Sequence, residues 1–439
     1  MKAFKKFNNI DLKELSLGER RVLEKLVRAV ELIAPLYLAQ KNEKYPGANF
    51  YPHNVKKEEI EKAAKKDPLI LNPYTVVEKN KKGKLISVPY HIRFKKELKP
   101  IAKIIKEAAK LSEEKEFAKY LNSRADSLLN DNYDKSDILL LKAPEFKIGF
   151  IIGPIEWYLD KLFAKKYAYQ AWVGILDKEK TEEAKRLISI VLSSQRKILP
   201  GSKKINVSKI RIRIEKTVAI SGLISELLIS GMNLPRSMKV IKKYGSELTV
   251  FEPVLKLRFE KDYLPIFKKI FDKKIQKSYS LKTLYTGALR YTLLNELCYS
   301  LIQYKDAEKR LKNLFYIFEE FLANVLCLKS GEMLFLKGVI SQKELEAIFL
   351  FYICRTFSLK QLSIKNPNLT FHYQPRAEIA FNFLLKENGL KKINNIYLPH
   401  FPKLSICIDQ LSRLVEYYLA LGNYKEAKEF INKYSSSRS

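Results

Sequence analysis

Metal and thiol chemistry both need their side chains gathered in one place, and this 439-residue chain has little of either to gather. Its four cysteines, Cys298, Cys327, Cys354 and Cys407, lie far apart inside apolar helical patterns, with no CxxC pair among them. That spacing argues for buried thiols in a reducing compartment and against a disulfide framework or a zinc knuckle. The four histidines, His53, His91, His372 and His400, are equally scattered. Any metal site has to be built from that short supply of imidazole. The sequence also lacks a glycine-rich phosphate loop and a nucleophile elbow.

The framework around these residues is that of an ordinary globular protein. With 46% hydrophobic residues the chain can bury a substantial core, and its length favours two or three domains. The formal charge of +33 is the loudest compositional signal. A basic protein attracts polyanions and releases their counterions on binding. The lysines are spread along the whole chain, however, and runs such as 79–84 and 268–277 read as solvated faces and loops. No recognised nucleic-acid motif accompanies the charge, so nucleic acid is expected only as a non-specific partner. The opening residues mix Lys2, Lys5 and Lys6 with Asp11, Lys13 and Glu14, which is no signal peptide. No segment approaches the roughly 20 apolar residues of a membrane span. The expected location is the cytoplasm, with no membrane partner.

Hydrophobic spacing supplies the elements. Ser16 and Glu19 form a capping box before a helix carrying Val22, Leu23, Leu26, Val27, Val30 and Ile33. A turn at Tyr45–Gly47 follows, and Asn54 is placed to cap a helix over 55–65. The stretch 85–94 alternates as a strand, 98–129 reads as one long helical region, and 146–152 is extended into a Gly153–Pro154 turn. Alternation over 205–214 and 248–259 predicts half-buried strands, Pro253 marking an edge or a break in the second. From Leu264 onward the pattern is almost wholly helical, with turns near Gly331, Gly338, 366–368 and 394–402. There are no repeats and no low-complexity linkers.

Several segments, in order, resemble the dipeptidyl-peptidase III family of zinc exopeptidases, especially its Nudix-associated branch. Gly47-Ala48-Asn49-Phe50-Tyr51-Pro52 is similar to that branch's GANFYP entry, and Ser123–Leu129 with Tyr133, Ser136, Asp137 and Ile138 to its SKADAFLSNxYYxSDI stretch. Gly153, Pro154, Ile155, Glu156 and Tyr158 stand where the family has GPYETY. Asn233-Leu234-Pro235 resembles its FNLPND loop, and Phe381–Leu384 its FNYL helix. The collinear order of these short matches carries the resemblance across nearly the whole chain. It implies an α+β, mainly α fold: two lobes separated by a wide cleft, one mixed with a small β-barrel and one helical. Residues 1–175 would form the mixed lobe, joined by 206–253. Residues 176–205 and 254–405 would form the helical lobe, and 406–439 a C-terminal helical segment of uncertain lobe. In the family an extended peptide adds as a strand to the mixed lobe. The resemblance gives Glu156, Tyr158 and Asn233 the task of holding the peptide's amino end and backbone.

The same resemblance locates the catalytic helix, and there the sequence departs from the pattern. Where the family has HECCH, this chain has Asn295-Glu296-Leu297-Cys298-Tyr299. Such a site needs two histidines four residues apart on a helix and a glutamate between them to activate water. Only that glutamate, Glu296, remains as a remnant general base, while Asn295 and Tyr299 mark the lost ligands. The family's EExKAD helix corresponds to Glu319-Glu320-Phe321-Leu322-Ala323-Asn324, which makes Glu320 a remnant metal ligand. Tyr373 stands where the family keeps a histidine that stabilises the transition state, and His372 beside it is a shifted substitute or an ordinary core histidine. Cys327 lies about 10 Å along its helix from Glu320, too far to share one ion. Arg290 and Arg376 are candidate partners for the two glutamates. If the carboxylates stay close without a metal, repulsion and burial should raise at least one pKa.

Three readings follow. The first is a non-catalytic relative that keeps the peptide-binding site and, with most zinc ligands missing, carries no cofactor. The second is an active dipeptidyl-peptidase or other hydrolase with a rearranged site of Glu296, Glu320 and His372, whose oxygen-rich shell suits manganese or magnesium. The third is a basic nucleic-acid-binding protein, supported by charge alone.

Overall fold

The structure, a computed structural model, describes residues 3–8, 10–200, 209–302, 304, 306–365 and 373–435. It is mainly helical, with a curled sheet, and divides into two compact units: Met1–Lys178 with Arg213–Ile229 and Leu234–Glu247, and Glu179–Ile212 with Ser230–Asn233 and Leu248–Ser439. No helix among the described residues is long and apolar enough to cross a membrane.

Helices of nine residues or more are numbered here in chain order. In the first unit β1 (Phe4–Lys6) is followed by α1 (Leu17–Glu31), which opens on the expected capping box: Ser16 Oγ accepts from Glu19 N at 3.1 Å, and Glu19 accepts from Ser16 N at 2.7 Å. After α2 (Lys57–Lys66) come the hairpin β2 (Thr75–Lys79) and β3 (Leu85–Pro89), then α3 (Lys95–Leu111), α4 (Lys115–Leu128) and α5 (Asp134–Lys142). The sheet itself uses β4 (Ile148–Glu156), β5 (Ala168–Leu176) and β6 (Ile210–Gly222), each antiparallel to the next, with β1 on β6 through Phe4↔Ser221. β7 (Gly231–Leu234) and β8 (Ser246–Phe251) complete the order β4-β5-β6-β8-β7. Every residue of β5 is buried. Both faces are covered, so the sequence offers no alternation by which to read it.

This sheet encloses an ion pair. Arg213 Nε donates to Glu215 Oε2 at 3.0 Å and Arg213 Nη1 to Phe146 O at 2.7 Å, with side chains only 4% and 1% exposed. Gly149 and Gly174 make the room: a Cβ on Gly174 would fall 2.2 Å from Glu215 Oε1. Charges this deep are tolerated only when paired and hydrogen-bonded.

The second unit begins with α6 (Lys178–Ser193) and continues through α7 (Leu281–Leu301), α8 (Phe315–Leu336), α9 (Gln342–Lys365), α10 (Tyr373–Lys386), α11 (Phe401–Ala420) and α12 (Tyr424–Ser435). Helix α7 packs against α8 and α9, and α8 against α11, where Lys329 Nζ bonds Asp409 at 3.0 Å and Ser412 at 3.1 Å. Both α7 and α8 are apolar nearly all round, the pattern of helices inside a bundle.

Several expected elements differ. The 98–129 region is two helices, because Ser112 and Glu114 are extended and break it. The strand from Leu85 stops at Pro89 and a short helix, Tyr90–Arg93, follows. Likewise the 248–259 pattern is strand only to Phe251. Pro253 sits in the first turn of the helix Glu252–Arg258, where its missing N–H costs nothing. Helix α2 starts after Lys56 and not at Asn54, Glu59 accepting from Lys56 N at 2.9 Å. Gly331 ends nothing: it lies within α8, where the absent side chain lets Ile348 and Leu345 of α9 close in. The turn read at 394–402 is partly a hairpin, β9 (Leu390–Ile393) with β10 (Ile396–Pro399). Residues 205–208 and 366–368 of two other readings lie outside the described residues.

Candidate functional site

Helix α7 carries Asn295, Glu296 and Tyr299, and α8 carries Glu320 and Asn324, so the α7–α8 seam decides what these side chains can do. Its apolar lining means each polar atom must find a partner within reach. Tyr299 Oη donates to Glu320 Oε2 at 2.8 Å, and Arg376 Nη1 from α10 donates to the same oxygen. Tyr291 Oη donates to Asn324 Oδ1 at 2.9 Å, and Asn324 Nδ2 to the backbone oxygen of Glu320 at 2.5 Å. Cys327 Sγ reaches Tyr291 O at 3.3 Å. From α9, Arg355 lies over the Tyr291 ring, 5.5 Å from its centroid.

This geometry fixes charge states. Burial pushes the Glu320 carboxyl up, but the Arg376 charge, hydrogen bonds from Tyr299 and Arg376, and the Arg355 charge outweigh it and hold the pKa below its ordinary value. Tyr299 goes the other way: burial first, then the Glu320 charge, drive its phenol well above the usual range, with Arg376 opposing. Glu320 is thus an anion and Tyr299 a protonated donor. The conditional expectation that at least one of the two carboxylates is raised is not met at Glu320, which pairs with Arg376, one of its candidate partners. Arg290, the other candidate partner, pairs elsewhere, with Glu344 at 2.6 Å and Glu183 at 3.5 Å.

Glu296 sits on a different side of α7, against β7. A Cβ on Gly231 would stand 2.8 Å from Glu296 Cγ and 3.1 Å from Thr292 Cγ2, so only a glycine lets this strand approach. Two residues along, Asn233 Nδ2 donates to Ser300 Oγ at 3.1 Å. The strand therefore brings Asn233 alongside Glu296 and Ser300. Asn295, 3% exposed, has an Oδ1 with no hydrogen-bond partner among the described residues. Cys298 faces Ser330 at 3.7 Å, and burial pushes its thiol up to about 12. All four cysteines are buried and free.

Glu156 and Tyr158 belong to the first unit. Glu156 ends β4, just past a bulge at Pro154, and is 3% exposed. Arg236, from the loop after β7, donates to Glu156 Oε1. The peptide bond between Leu234 and Pro235 in that loop is cis. Tyr158 stacks at a tilt on Trp157, with ring centroids 5.0 Å apart. An open groove of about 430 Å³ in this unit, lined among others by Asn49, His53, Glu78 and Arg93, contains none of these residues.

Tyr373 opens α10. His372 lies outside the described residues. Sequence reasoning missed Arg355 and Arg236. The first gives no signal, since an arginine within an apolar helical pattern does not reveal its partner. The second could have been found, because it directly follows Asn233-Leu234-Pro235. Among the described residues, no group of three or more His, Cys, Asp or Glu side chains converges in a way that could hold a metal ion.

No family model matches the sequence. The chain is similar to Nudix hydrolase 3 of Arabidopsis thaliana, 24% identical over 363 residues that make up 80% of this chain and 46% of that protein. It thus spans about half the length of the curated relative it matches. In structure it resembles DPP III from Caldithrix abyssi, with a TM-score of 0.86 at 22% identity over 98% of this chain and 92% of that one. It also resembles dipeptidyl-peptidase III from Corallococcus sp. strain EGB, with a TM-score of 0.83 at 20% identity over 98% and 90%. The fold is that of dipeptidyl-peptidase III.

Proposed function

We propose that this chain is a dipeptidyl-peptidase III-like protein that binds peptides without cleaving them, with Glu156 and Tyr158 of the first unit and Asn233 of the second as peptide-binding residues. One observation carries the reading. Glu320, the remnant metal ligand, already holds a positive charge, supplied by the Arg376 guanidinium, and a second donor in Tyr299.

A zinc ion does not fit these residues. Asn295 offers a neutral amide and Tyr299 a phenol held protonated, where zinc takes imidazole or thiolate. The Glu320 oxygen that accepts from Arg376 and Tyr299 would have to give up a guanidinium and a hydroxyl to bind it. The rearranged hydrolase with manganese or magnesium meets the same obstacle at Glu320 and draws on His372, outside the described residues. Without an activated water, Glu296 alone is a weak agent for amide hydrolysis, one of the slowest reactions enzymes face. Four buried free cysteines accord with a reducing cytoplasm.

The test is metal analysis of the purified protein together with a dipeptidyl-arylamide assay. Substoichiometric zinc and no release of the arylamine are expected. One tightly held zinc per chain, with amino-terminal dipeptides released, would overturn the reading.

A further inference from the structure

The pair in the first unit defines the ligand more closely than the fold does. Glu156 sits where β4 ends, its side chain 4% exposed, and a carboxylate so placed requires a cation. Arg236 supplies it from within the chain. The two partners are not equally sheltered: the Arg236 side chain is 37% exposed. A ligand approaching this point therefore meets a guanidinium, with the carboxylate behind it. Guanidinium also binds carboxylate with two parallel hydrogen bonds, a fit that a single ammonium cannot match.

From this geometry we infer that Arg236 is a built-in cation that saturates Glu156, so that the site takes peptides whose amino end is blocked or lies outside it and rejects a free α-ammonium. The inference rests on the reading that Glu156 belongs to a peptide-binding site. A free amino end would find the Glu156 carboxylate occupied and would face a like charge instead. That juxtaposition is repulsive. A blocked or internal peptide segment carries no ammonium to be repelled there.

Two measurements on the full chain test this. The first is thermal melting at neutral pH of Arg236→Asn, Glu156→Gln and the double variant. The single Arg236→Asn variant should melt lower, because it leaves a buried carboxylate unpaired, and the double variant should recover most of that loss. Purely additive losses would mean that the pair does not form in solution and would overturn the inference. The second is fluorescence anisotropy with an alanine pentapeptide labelled at its carboxyl end and with its N-acetylated twin. The wild-type protein should bind the acetylated form at least as well as the free amine. Arg236→Asn should reverse that order by about tenfold, the scale of one charge-assisted contact. A tenfold preference for the free amine in the wild-type protein would overturn the inference while leaving peptide binding intact. If neither protein binds either peptide, the peptide-binding reading itself fails, and the inference with it.

Discussion

At the scale of single residues, two carboxylates define this protein, and each is answered by an arginine of the same chain. Glu320 has Arg376 and Glu156 has Arg236. Removing one partner of a buried pair is costly because the other charge remains. Arg376→Ala should therefore destabilise the chain by about 3–5 kcal/mol, whereas Tyr299→Phe, which removes one hydrogen bond to the same carboxylate, should cost about 1–2 kcal/mol. Urea unfolding at neutral pH measures both. The pH dependence has a definite sign. The folded pKa of Glu320 lies below its ordinary value of 4.5, so its stabilisation is fully present above that value and is lost as pH falls through the lower folded pKa. Unfolding free energies measured downward from pH 4.5 should fall less steeply in Glu320→Gln than in the unaltered protein. Parallel slopes would show that the carboxylate is not held low.

At the scale of elements, helix geometry decides what a substitution can restore. Residues 295 and 299 are four apart on α7, so both side chains point to one side. The triple change Asn295→His, Tyr299→His and Arg376→Met places two imidazoles beside Glu320 and removes both the hydroxyl and the guanidinium that occupy it. The expected outcome is one zinc bound per chain, read by metal analysis after dialysis. Failure to bind would put the correspondence between α7 and a zinc-binding helix in doubt. In the sheet, strand glycines are spacers for the pair Arg213–Glu215. A methyl at Gly174 would lie 2.2 Å from the Glu215 carboxylate. Gly174→Ala should cost about 3 kcal/mol, at the upper end of overpacking penalties, because a buried ion pair has to move. A melting temperature unchanged in that variant would contradict this.

At the scale of the whole molecule, a charge of +33 spread along the whole chain predicts attraction to polyanions without preference among sequences. Binding to duplex DNA should fall steeply with added salt and show no preference among sequences. An affinity for one sequence that survives physiological salt would favour the nucleic-acid reading. Much of the molecule was legible from residue order alone. The capping box at Ser16, the buried cysteines and the helical second half follow from local spacing, which acts over a few residues. The likeness to dipeptidyl-peptidase III was also readable, because short segments such as 47–52 and 153–158 keep their order. Strand β5 was not, since burial on both faces erases alternation, and Gly331 misled because helix packing, not a turn, requires it. The sequence by itself determined which residue types stand on the two helices: Asn295, Glu296 and Tyr299 on α7 and Glu320 on α8. Only the tertiary structure decided the charge states of Glu320 and Tyr299. Partnerships such as Glu320 with Arg376, or Glu156 with Arg236, join residues tens of positions apart, and a pKa depends on the charges in space around a group and not on its neighbours in the chain.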